Sequence, residues 1–259
     1  MHVITLTTDW NQKDFYLAAI KGKLLGICPD IKIFDLSHDV PPFNTAQAAF
    51  IVKNSYRHFP EGSIHIIGVN SKSGKRNRYL AILMDGQYFI TYDNGIYGLL
   101  FRDEPEEAVE IKPPEQIATS FPELDVFIDA ACLLVKKGKL NLLGPVVSDF
   151  SKTLPLRATI DKSSISGSII YIDSYRNAIT NITSELFDRI GHGRKFEIMV
   201  QSNRYKITRL NKIYGETTTG EILALFNSVG LLEIAINLGN AAELLGLEIN
   251  SGVRVSFKG

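Results

Sequence analysis

The sequence predicts an α/β N-terminal domain, a mostly parallel sheet with flanking helices, followed by a smaller all-β, barrel-like C-terminal domain. Three observations predict it. Apolar strand-like runs alternate with helix-periodic segments through the first half. After Gly144 and Pro145 the runs turn short and β-like, broken by Gly, Asn and Ser. The chain has 259 residues, 45% of them hydrophobic, which is enough for real cores. The boundary is expected to divide residues 1–155 from residues 156–259.

Residues 2–7 read as a buried strand. Residues 13–28 carry Phe15, Leu17, Ile20, Leu24 and Ile27 at helical spacing, and Pro29-Asp30 ends that helix. Residues 32–36 are a second strand, 45–58 a second helix and 63–69 a third strand. Residues 79–84 and 88–92 form a hairpin across Asp85-Gly86-Gln87. Residues 95–101 suit a short helix, 108–112 a strand and 125–136 a helix with an apolar face. In the second half, strands are expected at 163–173, 195–201, 205–210, 221–226, 231–237 and 253–258. Helices are expected there at 184–190 and 241–247. In an α/β sheet the ligand sits at the carboxyl ends of the strands. The polar residues there are Thr8-Asp9, His38-Asp39, Asn70 onward and Asp93-Asn94-Gly95.

Charge excludes some partners. Lys and Arg total 28 and Asp and Glu total 28, so no bulk charge draws the chain to nucleic acid or an anionic membrane. No run approaches the roughly 20 apolar residues of a membrane span, and the N-terminus reads as a strand rather than a signal peptide. Cys28 and Cys132 sit in apolar surroundings and read as reduced packing residues of a cytoplasmic protein. The histidines and cysteines show no metal-ligand spacing, so no metal is expected.

The loop NSKSGKRNR, residues 70–78, is basic and holds a Ser-Gly-Lys. It is not a P-loop. Gly68 and Gly74 are one residue too far apart, and Lys75 is followed by Arg76 where the magnesium-binding hydroxyl belongs. By itself it reads as a solvated basic turn. Two segments of the second half also hold polar residues beside buried strands: YIDSYRNAITNI (171–182) and NSVGLLEIAIN (227–237). An Asp or Asn at a strand end is ordinarily a turn former. Together with Asp9 these residues could also serve a nucleoside: carboxylates for ribose hydroxyls, amides for a purine edge, and Phe43 and Tyr175 for its face.

These blocks carry a resemblance. LTTDW with FYLAAIKGKLLGICPD, IFDLSHDVPPFNTAQAAF, Asp93-Asn94-Gly95, YIDSYRNAITNI and SVGLLEIAINLGNAAELLGL resemble, in order and over nearly the whole chain, the S-adenosylmethionine hydroxide adenosyltransferases and their relatives, the adenosyl fluorinases and chlorinases. The resemblance implies an α/β domain, a C-terminal barrel and a homotrimer, with adenosine held between one chain and its neighbour. It implies a nucleoside ligand, S-adenosylmethionine as substrate with no further cofactor, and displacement at the 5′-carbon with methionine leaving. Asp9 matches the family's ribose-binding aspartate, and Phe43 an aromatic that flanks the ligand. Asp173, Tyr175 and Asn177 match the aspartate, aromatic and amide around the methionine end and adenine. Ser228, Glu233 and Asn237 fall in the closing block of the pocket.

One part departs from the family pattern. Hydroxide-using members read V-D-P-G-V-G-[ST]-x-R-R, and their Asp and Arg work with the His of F-H-G-R-D-I-F-A-P. Here the Asp position is Asn70, the first Arg position is Asn77 and the His position is Pro122, followed by Glu123-Leu124. An amide orients water but does not take its proton near neutral pH, and proline has no side-chain donor. The halogenases' small hydroxyl residue is also replaced, by Glu123. Asn70, Arg76 and Arg78 are then the candidates for holding the water. Two functions follow: hydrolysis of S-adenosylmethionine with a rebuilt water site, or binding of S-adenosylmethionine or adenosine without turnover. A different nucleophile or nucleoside is a third.

Overall fold

The computed structural model describes residues 2–70, 78–113, 119–200 and 202–258. The chain divides into two compact units, Met1–Pro155 and Leu156–Gly259.

The first unit is built on strands β1 (His2–Thr8), β2 (Ile31–Ser37), β3 (Ile64–Gly68), β4 (Tyr79–Met84), β5 (Gln87–Tyr92) and β6 (Glu107–Ile111). Their order in the sheet is β2-β1-β3-β5-β4-β6. The first four of these are parallel neighbours, while β4 runs antiparallel to both β5 and β6, so the sheet is mixed. The long apolar strands are buried on both faces, as parallel sheets require. Helices α1 (Phe15–Ile27) and α4 (Ile128–Lys137) cover one face, where Ile20 and Leu24 meet Ile4, Leu6, Ile64 and Ile66. Helices α2 (Thr45–Lys53) and α3 (Ile96–Leu100) cover the other, where Ala48, Val52 and Ile96 meet Ile67, Leu80, Ile82 and Phe89. Cys28 and Cys132 are free and buried.

Three elements differ from the sequence expectation. The helix expected to reach residue 58 stops at Lys53. There Asn54 Nδ2 donates to the Phe50 carbonyl (2.8 Å) and Ser55 Oγ to the Ile51 carbonyl (2.7 Å), competing with the helical ladder. The β4–β5 hairpin has a two-residue turn, with Asp85 at φ 50° and Gly86 at φ 67°, the left-handed pair that matches strand twist. Gln87 therefore belongs to β5, where its Oε1 lies 2.7 Å from His65 Nε2. The helix expected from residue 125 opens earlier, as a π turn over Glu123–Phe127 that runs into α4.

The second unit contains β7 (Thr159–Asp161), β8 (Ser164–Ile172), β9 (Ala178–Thr183), β10 (Phe196–Val200), β11 (Ser202–Ile207), β12 (Ile222–Phe226), β13 (Leu231–Ile236) and β14 (Gly252–Phe257). The path is β11-β10-β14-β8-β9-β13-β12, with β7 on β8 and every pair antiparallel. Its two ends, β11 and β12, approach each other, so the sheet is nearly closed and barrel-like. Ile165, Ile169, Ile198, Leu232, Ile234, Val253 and Val255 fill the interior. Helix α5 (Ser184–Gly191) starts on Thr183, whose Oγ1 accepts the Leu186 N–H (3.1 Å). The helix expected over 241–247 is the single turn α6 (Ala241–Leu244), stopped by Gly246 at φ 64°. Strands β7 and β9 were not anticipated. The polar residues of 177–181 masked the alternation of β9, whose Ala178, Thr180 and Ile182 are buried.

Among the described residues no helix is long and apolar enough to cross a membrane.

Candidate functional site

The carboxyl edge of the first sheet is unusual in its polar groups. Thr7 Oγ1 is buried there with no hydrogen bond to any described residue, and Tyr92 Oη and His38 Nε2 are buried with a carboxylate beside each, Glu123 and Asp35. An unpartnered buried hydroxyl and two buried carboxylate-facing groups at one strand edge mark a place built for something other than packing. His38 is fixed from its other side, with Nδ1 2.7 Å from Thr8 Oγ1, and its Nε2 lies 3.1 Å from Asp35 Oδ1. Burial pushes the Asp35 carboxyl up, but hydrogen bonds from Lys21 and His38 outweigh it and hold the group below its ordinary value.

Asp9 stands just beyond β1. Its Oδ2 accepts the backbone N–H of Phe43 (2.8 Å), and Oδ1 makes no hydrogen bond among the described residues. Phe43 adopts φ 65°, rare for an aromatic residue. The turn is closed by Asn44 N–H on the Pro41 carbonyl (3.0 Å), and Asn44 caps α2 by accepting the Gln47 N–H (3.0 Å). The Phe43 ring is largely exposed. The fold thus brings Asp9 and Phe43 together.

Asn70 follows β3 at φ 57°, and Asn94 Nδ2 ties down the carbonyls of Val69 (2.9 Å) and Asn70 (3.3 Å). Arg78 is committed elsewhere. Among the described residues its guanidinium makes four hydrogen bonds: two to Asp93 Oδ2 (3.0 and 2.7 Å), one to Asp149 Oδ1 (3.2 Å) and one to the Asp149 carbonyl (2.6 Å). Asp93 Oδ1 also accepts the Ser151 N–H (2.6 Å). Asp93 and Arg78 therefore brace the end of β5 against residues 149–151, while Asn94 holds the end of β3. Gly95, at φ 90°, lets the 149–153 segment pass: a Cβ there would lie 2.2 Å from Thr153 Oγ1. Arg76 and Asn77 lie outside the described residues, as do Lys72 and Lys75.

The site residue that sequence reasoning missed is Glu123. In the sequence it stands only as the replacement for the family's residue after the His. It is buried in the π turn and packed on the last residue of β3. A Cβ on Gly68 would fall 2.9 Å from Glu123 Cγ and 3.0 Å from Trp10 Cζ2, so only glycine admits both side chains. The available signal was a lone acid in an apolar stretch near a glycine at a strand end. Burial raises the Glu123 carboxyl above its ordinary value, though the neighbouring Tyr92 hydroxyl opposes that, and Asp9 adds to it.

In the second unit, Asp173 and Asn177 satisfy each other across the β8–β9 turn. Asp173 Oδ1 accepts the Asn177 N–H (2.8 Å) and Oδ2 accepts from Asn177 Nδ2 (3.1 Å). Tyr175, at the tip, is exposed. Glu233 is buried on β13, accepting from Tyr214 Oη (2.7 Å) and Asn227 Nδ2 (3.1 Å); Tyr214 was not anticipated, and burial beside Glu233 keeps its phenol protonated. Asn237 Nδ2 donates to the Thr217 carbonyl (2.6 Å). Register places the 173–177 turn at the Asn237 end of β13, since Ala178 pairs with Ile234. Ser228 is at the opposite end, in the β12–β13 turn. The six residues of β13 span about 20 Å at strand rise, so Ser228 and Asn237 are not neighbours. Among the described residues no His, Cys, Asp and Glu group could hold a metal ion.

Comparison with known proteins matches both units. Residues 4–144 match the model of the SAM hydroxide adenosyltransferase N-terminal domain, and residues 167–254 that of the C-terminal domain. The chain is 28% identical to an (R)-S-adenosyl-L-methionine hydrolase of Thermus thermophilus, over 98% of this chain and 100% of the relative. It is 27% identical to one of Methanocaldococcus jannaschii (99% and 97%), and 24% identical to a fluorinase of Actinoplanes sp. (98% and 97%). The fold is similar to that of an uncharacterized conserved protein from Thermotoga maritima, with a TM-score of 0.87 at 24% identity over 99% of this chain and 100% of that one. With both halves matched in order and over nearly the full length, the chain belongs to the SAM hydroxide adenosyltransferase family.

Proposed function

We propose that this protein cleaves S-adenosylmethionine with water to adenosine and methionine, by displacement at the 5′-carbon. The observation that carries the reading is the carboxyl edge of the first sheet. There Asp9 keeps one carboxylate oxygen on the Phe43 N–H and has the other for ribose hydroxyls. The full-length similarity to relatives named as hydrolases supports the same reaction. The sulfonium makes the 5′-carbon electrophilic and leaves as an uncharged thioether, so the protein's work is to align a water with that carbon and limit its other contacts. In the second unit Tyr175, Asn177 and Asp173 would serve the adenine and methionine end, with Asn237 near them. A homotrimer whose subunits share the sites belongs to the same proposal; a monomer by light scattering would count against it.

The replacement of the family's water-handling residues by Asn70, Asn77 and Pro122 favours a second reading, binding without turnover. Incubation of the purified protein with S-adenosylmethionine separates the two. The proposal expects adenosine and methionine to accumulate together. Ligand-induced stabilisation with intact S-adenosylmethionine would establish the second reading instead.

A further inference from the structure

We propose that Glu123 is the catalytic base of this chain, taking the proton of the attacking water in place of the family's missing Asp, Arg and His. The inference rests on the hydrolase reading above. Glu123 is placed for the task. It sits on the last residue of β3, two positions before Asn70, with its Oε1 3.2 Å from where a Gly68 Cβ would be. Trp10, the neighbour of Asp9, closes over the same point. The candidate ribose carboxylate, the start of the altered loop and this buried carboxyl therefore lie along adjacent strand ends.

Packing does not account for the residue. Burying a carboxylate without a counter-charge costs several kcal/mol. Among the described residues no Lys or Arg pairs with Glu123. Lys23 on α1 donates to the Leu124 carbonyl (2.8 Å) and lies 3.0 Å from Asp129 Oδ1. Among the described residues the groups that face Glu123 are Tyr92 of β5, Tyr79 of β4 and Asp9; Asp125 on its own turn is bonded to Thr119. Tyr92 is held neutral by burial, so its hydroxyl can donate to the carboxylate. The surroundings are aromatic, with Phe121 packed edge to face on Trp10 and on Tyr16, and those two rings tilted against each other. A carboxyl in such a place is a stronger base than one in water, closer to the range where general-base catalysis works best. The π turn that carries it is itself of the kind that recurs at functional sites.

The step balances. The water oxygen forms the bond to the 5′-carbon as the carbon–sulfur bond breaks. Its electron pair stays on sulfur, which becomes the neutral thioether of methionine. The water's proton passes to Glu123 and from there to solvent.

The test is Glu123→Gln, which keeps size and a hydrogen bond to Tyr92. Its kcat should fall roughly a hundred- to ten-thousand-fold, with KM and the stabilisation by S-adenosylmethionine retained. Wild-type kcat should rise with pH through a limb above the ordinary carboxylate range, as the base loses its proton. That limb should be missing from Glu123→Gln and partly restored in Glu123→Asp. Wild-type turnover and an unchanged limb in Glu123→Gln would overturn the inference and leave the hydrolase reading standing. A wild type that binds but releases no adenosine would overturn both. If Glu123→Gln does not fold, wild-type kcat in light and heavy water decides. A pH limb with a solvent isotope effect is expected; a flat profile with no isotope effect would refute the base.

Discussion

Arg78→Ala separates a structural arginine from a catalytic one. Arg78 stands at the second Arg of the family pattern and is a candidate for holding the water, yet its guanidinium lies in a carboxylate clamp. The Arg78 and Asp93 side chains are only 9% and 4% exposed. Removing the arginine leaves Asp93 buried with the Ser151 N–H as its remaining partner among the described residues. Breaking such a pair costs about 3–5 kcal/mol. The lower end applies here, because Asp93 keeps that bond and the Asp149 side chain is more than half exposed and screened. For a chain of this size about 3 kcal/mol lowers the melting temperature by on the order of 10 °C. The assay is thermal and urea unfolding of wild type, Arg78→Ala, Asp93→Ala and the double variant. The double variant should be less destabilised than the sum of the singles, since it leaves no orphan charge. An Arg78→Ala protein with wild-type stability and no turnover would refute this reasoning and return Arg78 to the chemistry.

Asp9→Ala should abolish most of the thermal stabilisation by adenosine or S-adenosylmethionine while changing the unliganded protein little; an undiminished shift would remove Asp9 from the ribose site. Asp173→Ala should both weaken that shift and loosen the β8–β9 turn, because Asp173 also holds Asn177; hydrogen exchange at Asn177 reports the second effect. His65 is buried against Thr5 and Gln87, and burial lowers it to about 4. The unfolded chain therefore binds the proton more readily, and stability should fall as pH drops from about 6.5 toward about 4, by up to about 3 kcal/mol. Urea unfolding across that window should show the slope, and His65→Gln should flatten it.

Much of the first unit was legible because its strands are continuous apolar runs and its helices keep their spacing. Asp85-Gly86 declared the hairpin, and only the placement of Gln87 depended on its partner, His65, which is distant in sequence. The early end of α2 was written in Asn54 and Ser55, whose side chains bond back to the helix. The polar motifs were harder to read. In YIDSYRNAITNI the same residues make a turn, carry a strand and offer ligand groups, so the ligand resemblance hid β9. Arg78 and Glu123 show the opposite limits of pattern matching. One matches a family position but is locked by Asp93 and Asp149. The other matches nothing, and its neighbour Gly68 is 55 positions away in the chain, so only the folded chain reveals that the two touch.

The most direct test of the central claim is one turnover of S-adenosylmethionine in water enriched in the heavy oxygen isotope, with the nucleoside product weighed by mass spectrometry. The account predicts adenosine carrying the heavy oxygen in its 5′-hydroxyl, formed in equal amount with methionine. Adenosine without the label, or no adenosine at all from protein that binds the substrate, would contradict displacement by water at that carbon.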